Sequence, residues 1–210
     1  MKWIFICALL GLTMSARTQT SQNRHPIWRE DSAQVERRAF WRNIVRQMND
    51  SQLVATLRSD STEELVTRWR RTASAVSEIF RRGERIIPLL AGLRGDRSIF
   101  CGGWSGDSTS LRKAASSWAL HCSGEGAIPL EQAALFYIVA IYRGSLDFTN
   151  SMDLKDDHKP LEWETMTSRD FSERAWLAVD RWLVYLRRDG LEGVRNERRG
   201  PLDGSGLSFF

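Results

Sequence analysis

Apolar residues recur along this chain mainly at steps of three and four, the spacing that places them on one face of an α-helix. Between Ala33 and Met48, the residues Val35, Trp41, Ile44, Val45 and Met48 make such a stripe, and Asp31 with Gln34 offers a capping box before it. Asp50-Ser51 restarts a short helix through Leu53, Val54 and Leu57. The clearest pattern runs from Ser61 to Arg82. Ser61 and Glu64 have capping-box spacing, Leu65, Val66, Trp69, Ala73, Val76, Ile79 and Phe80 form the stripe, and Gly83 supplies the stop. A second apolar helix follows through Ile86, Ile87, Leu89, Leu90 and Leu93, and must begin close to Pro88, whose ring would break a helix interior.

Gly95, Gly102, Gly103 and Gly106 then mark a loop over 95–109, and a modest helix is expected from about Ser110 to Leu120 with Leu111, Ala115 and Trp118 inward. Pro129 suits a first helical position before Ala133 to Tyr142, a run apolar on every side and so covered by neighbours on every side. Gly144 ends it. An acidic loop over 145–168 precedes a last helix from about Phe171 to Arg188, with Asp170 and Glu173 as capping box and Gly190 as stop. Its stripe is Ala175, Trp176, Val179, Trp182, Leu183 and Leu186. No alternation persists long enough to predict a strand. The pattern therefore predicts an all-α chain, one irregular helical domain over 31–190 with about five to seven helices. The Gly- and Pro-punctuated end, 191–210, is expected to be a disordered tail.

The N-terminus changes the picture. Met1-Lys2 is basic, Trp3 to Leu12 is apolar and uncharged, and small residues follow at Ser15 and Ala16, so 1–16 reads as a signal peptide. That run is shorter than the ~20 residues a bilayer span needs. Residues 17–30, with His25-Pro26 opposing a helix, read as a flexible leader. The mature chain is thus expected to be secreted or periplasmic, with no integral membrane span. Cys101 and Cys122 then remain as a pair, and an oxidising compartment predicts a disulfide between them, stabilising by roughly 3 kcal/mol. Separately buried thiols are the alternative.

Hydrophobic residues make up 42% of the 210, enough to close a core, which excludes a collagen-like or wholly disordered chain. The formal charge of +4 hides an asymmetry. Arg24 to Arg97 carries 15 Arg against 10 acidic residues, whereas Asp147 to Asp180 carries 9 acidic against 4 basic. The basic residues alternate with Glu and Asp at helical spacing, as on a solvated face. No nucleic-acid motif accompanies them, so nucleic acid is not expected as a partner.

The stretch Gly83-Glu84-Arg85-Ile86-Ile87-Pro88-Leu89-Leu90-Ala91-Gly92-Leu93, followed by Asp96-Arg97, resembles the second helix of HEAT-like repeats. Those helices commonly carry an early Pro and an Asp-Arg turn, and Ala133 to Ile141 would serve as another inner helix. The likeness covers roughly a quarter of the mature chain, without a regular 40-residue period. It implies a scaffold or recognition surface and transfers no catalytic residue.

Candidate chemistry is sparse. Gly103-Trp104-Ser105-Gly106-Asp107 ends in Asp and fails the nucleophile-elbow pattern, so Asp107 or Ser108 reads as a helix cap. Cys101, His121 and Cys122 lack zinc spacing, and Asp153, Asp156, Asp157 and His158 lack the order and central Gly of a calcium loop. No metal and no cofactor is expected. Glu131 opens the most apolar helix, where a helical cell-wall hydrolase would keep a general acid, but a first-turn Glu is also what the helix dipole favours. Of the nine Trp, Trp41, Trp69, Trp118, Trp176 and Trp182 fall on apolar stripes, while Trp28, Trp104 and Trp163 lie in predicted loops and are the candidate binding residues. The sequence thus points to an exported, non-enzymatic binding or structural module with an unidentified protein or envelope component as partner. A Glu-dependent envelope hydrolase and a periplasmic inhibitor or immunity-type protein are the alternatives.

Overall fold

The computed structural model describes residues 32–58, 65–100, 128–146, 152, 154–158 and 169–209. The described elements are, in chain order, α1 (Ser32–Gln47), α2 (Asp50–Ala55), α3 (Leu65–Arg82), a 3-10 turn (Gly83–Ile86), α4 (Ile87–Ala91), α5 (Leu130–Arg143), β1 (Leu154–Asp156), α6 (Arg169–Asn196) and β2 (Leu207–Phe209). The fold is all-α, with one small antiparallel pair among the described residues, β1–β2, in which Lys155 faces Ser208. The signal segment 1–16, the leader 17–30, the capping residues Asp31, Ser61 and Glu64, the helix over 110–120 and the Cys101–Cys122 pair lie outside the described residues. No helix among the described residues is long and apolar enough to cross a membrane.

Core formation follows the apolar pattern. α5 is buried on every side from Leu130 to Ile141, as its uniform apolarity requires, and packs on α3, α4 and α6. Ile86, Ile87 and Leu90 are fully buried beside it, and Pro88 occupies the first turn of α4, where its missing N–H costs nothing. Trp176 and Trp182 are buried on α6, whereas Trp41 is only half-buried and stacks edge-on against exposed Phe40. The stops act as read. Gly83 takes φ +62 after α3. Gly144 takes φ +72 after α5, and the Gly144 and Ser145 amides, bonding back to Ile141 and Ala140, close a Schellman turn.

A cap that the pattern did not predict starts α2. Asn49 accepts from the Gln52 amide at 2.8 Å, and Gln52 accepts from the Asn49 amide at 3.0 Å. The end of α3 also departs from a solvated basic face. Arg82 is buried, with 4% of its side chain exposed, and its guanidinium donates to Glu78 at 2.8 Å and Asp50 at 2.6 Å. It donates as well to the Val45 and Met48 carbonyls at the end of α1. One side chain thereby joins three helices.

Glu78, itself buried, also accepts two hydrogen bonds from Arg81. Those bonds, and after them the Arg82 contacts, outweigh desolvation and hold its carboxyl at about 2, against an ordinary 4.5. A carboxyl depressed on folding adds stability that is complete above its unfolded value and disappears as pH falls toward the folded one. Glu78→Gln is therefore expected to lower stability at pH 7 by on the order of 2 kcal/mol, and the gap should close between pH 4.5 and 2. Paired urea titrations of both proteins across that range check this; a gap independent of pH would refute it.

The chain end requires a correction. The sequence pattern predicts a disordered tail over 191–210 and a last helix that stops near Arg188, and the structure describes this segment as ordered through Phe209. Gly190 does break the helix, at φ +68 and ψ 173, but helical structure resumes at once and continues to Asn196. Glu84 accepts the Leu191 amide at 3.0 Å and so caps the restarted segment from far away in sequence. Leu191, Val194, Leu207 and Phe209 are buried. Composition alone suggested disorder; the order comes from long-range partners that composition does not reveal.

Candidate functional site

Three segments converge where α5 ends. Arg195 of α6 donates to the Tyr142 carbonyl at 2.8 Å and the Ile141 carbonyl at 2.7 Å, placing a cation on the last carbonyls of α5, where the helix dipole favours one. The chain leaving α6 turns at Arg198, whose φ is +56, and Trp182 donates its indole N–H to the Arg199 carbonyl at 2.9 Å. Gly200 to Gly206 then form a tight loop. Its Asp203 accepts the Gly200 amide at 2.6 Å, and Ser205 accepts the Leu207 amide at 3.0 Å. Gly206 is needed there: φ is +67, and an added Cβ would sit 3.2 Å from an Arg174 nitrogen.

The β1–β2 pair supplies the third wall. Asp156 is buried and braced by Arg174 at 3.0 Å, and that same guanidinium donates to the Ser205 carbonyl at 2.7 Å. Asp156 also accepts the His158 backbone amide, while Asp157 accepts the Ser208 hydroxyl at 2.6 Å. Between these walls lies an open cavity of about 650 Å³. Val139, Leu202, Leu207 and Phe209 contribute apolar surface to it, and Tyr142, Arg143, Asp157, His158 and Asp203 contribute polar groups.

The polar groups divide in two. The side chains of Arg143, His158 and Tyr142 make no hydrogen bond or ion pair with the described residues, while Asp157 and Asp203 each hold one internal donor. Burial, reinforced by the negative charge of Asp203, raises the Tyr142 phenol above its ordinary value, so it stays a hydroxyl donor. Its ring stands edge-on to Trp182, with centroids 6.1 Å apart. The volume lies within the range of small-molecule sites, and the lining mixes apolar walls with a few polar groups.

The residues singled out in sequence fall elsewhere or in other roles. Trp28, Trp104, Trp163, Cys101, Cys122, Asp107, Ser108 and Asp153 lie outside the described residues. Glu131 is buried, but one oxygen accepts from Arg97 at 2.6 Å and the other from the Gly95 amide at 2.9 Å. With Arg58 on Asp96 and the Glu131 amide on the Asp96 carbonyl, it ties the 94–98 turn to the start of α5. Asp156 is a brace between β1 and α6, whereas Asp157 and His158 do reach the cavity. No group of three His, Cys, Asp or Glu side chains able to hold a metal gathers among the described residues.

Sequence reading missed Tyr142, Arg143 and the whole 200–209 wall. One signal was present: Leu207-Ser208-Phe209 alternates apolar, polar, apolar, the strand period, in a stretch otherwise read by its glycines. No protein-family model, no curated protein and no solved structure matches the chain.

Proposed function

We propose that this chain is an exported, non-catalytic helical module that binds a component of the cell envelope in the cavity between the end of α5, the β1 turn and the 200–209 wall. The observation that carries the reading is the cavity itself: a volume of about 650 Å³ whose Arg143, His158 and Tyr142 side chains make no hydrogen bond or ion pair with the described residues, on an otherwise heavily braced frame. Arg174, bonded to Asp156 and the Ser205 carbonyl, and Arg195, bonded to the last carbonyls of α5, hold the surrounding elements in place, which is the preorganisation a recognition site needs. HEAT-like stacking of α4 on α5 belongs to this proposal, supported by their close packing and by the all-round burial of α5. Export rests on the basic and then apolar N-terminus. The two oxygens of Glu131 are engaged in structural bonds, which favours this reading over a Glu-dependent hydrolase.

The test is retention of an envelope component by the immobilised chain beginning at Arg17. Ser208→Trp fills the cavity and Arg143→Glu reverses its unpaired charge, each by a different means. Retention by the parent and its loss in both variants, with far-ultraviolet dichroism unchanged, is the expected result. Equal retention by all three, or none by the parent, overturns the proposal.

A further inference from the structure

We infer that the cavity takes a zwitterion with an apolar side chain, that is, a free α-amino acid or a short peptide; this rests on the reading of the cavity as the binding site. Charge complementarity is the reason. Among the described residues the lining carries one guanidinium, Arg143, which makes no hydrogen bond or ion pair with them, and two carboxylates, Asp157 and Asp203, each occupied there by one short internal hydrogen bond. A carboxylate accepts several hydrogen bonds, so both retain capacity for an incoming ammonium group. A dianion such as a phosphate monoester would meet Arg143 but also two fixed negative charges. A simple cation would satisfy the carboxylates and be repelled by Arg143. A ligand bearing one charge of each sign satisfies both, and a guanidinium is the side chain best shaped to grip its carboxylate.

The remaining surface fits the rest of such a ligand. Val139, Leu202, Leu207 and Phe209 offer an apolar wall for a side chain. The Tyr142 hydroxyl and His158 imidazole add polar contacts able to fix orientation. Gly204 and Gly206, both at positive φ, keep the loop wall free of side chains at two positions.

Three probes of one shape separate the charges. L-Phenylalanine has both groups, 3-phenylpropionate lacks the ammonium, and phenethylamine lacks the carboxylate. The readout is the set of backbone amide resonances of Gly200, Gly204 and Gly206 in the ¹⁵N-labelled mature chain. Phenylalanine is expected to shift them saturably and to bind at least tenfold more tightly than either single-charge analogue. Arg143→Gln should weaken phenylalanine by about tenfold or more and tighten phenethylamine, which loses a repelling charge, and Arg187→Gln, on the exposed face of α6, should change neither. Ala-Phe with a free carboxyl terminus, run beside its amide, separates peptide from free amino acid: tighter binding of the dipeptide acid than of phenylalanine assigns a peptide, the reverse an amino acid. An analogue binding as tightly as phenylalanine, no glycine shift with any probe, or an Arg143→Gln protein that binds like the parent overturns the inference. If envelope retention is still lost in the Ser208→Trp and Arg143→Glu proteins, that failure falls on the ligand class and not on the cavity as a binding site.

Discussion

Arg82→Met is expected to lower the stability of the fold by about 4 kcal/mol, the range measured when one partner of a buried charge pair is removed. The Arg82 side chain is 4% exposed, and its fork serves Glu78, Asp50 and two carbonyls at the end of α1 together. Methionine replaces the stem but none of the donors. Glu78 would keep the exposed Arg81, but it would lose its buried partner, and the α1 carbonyls would lose theirs. Burial opposes the charge on Arg82, yet the bonds to Glu78 and Asp50 prevail and raise its value above that of a free guanidinium, so the ionised form belongs to the native state. Arg82→Lys restores charge without the planar fork and should recover less than half of the loss. Urea midpoints at pH 7 for the parent and both variants check this. If Met costs under about 1 kcal/mol, like a surface pair, Arg82 is not the joint between α1, α2 and α3.

Why that joint was not legible, while the helices were, has a physical reason. Val76, Ile79, Ile86, Ile87 and Leu90 report their burial through spacing, because an apolar face must find cover whatever covers it. Arg81 and Arg82 sit side by side and look alike in sequence, yet one is exposed and the other buried, a difference set by Asp50 and the end of α1. Distant partners also order the chain end, where Arg195 finds α5, Trp182 finds Arg199, and Leu207 faces Asp156. The same limit applies to the candidate site. Asp157 and His158 stood out as a cluster of polar ligands, but Tyr142 and Arg143 looked like the plain end of an apolar helix. Only the return of 200–209 makes one cavity of the two.

Gly190→Ala is expected to cost about 2–3 kcal/mol, more than its position in an apparently continuous helix would suggest. In an ordinary helix interior, Gly to Ala stabilises by up to about 1 kcal/mol, so even the sign of the effect discriminates. At φ +68 and ψ 173 the backbone lies in a region that is essentially reserved for glycine. The strain is the backbone's own, since an added Cβ would stand 3.8 Å from the nearest Glu84 oxygen, an ordinary contact. Gly144→Ala is the comparison. Its φ of 72 and ψ of 17 lie in the left-handed helical region, which other residues reach for about 1–2 kcal/mol, so it should cost less. Relieving the strain at 190 means rotating the segment beyond it, which carries Leu191 and Val194 into the core and Arg195 onto α5. Amide hydrogen exchange then locates the damage. Exchange at Leu207 to Phe209 should quicken in the Gly190→Ala protein while the amides of α3 keep their protection, because the turn at Gly190 positions the wall of the cavity and not the helices that join at Arg82. Uniform quickening across α3 and β2 would instead show that the two regions unfold as one unit.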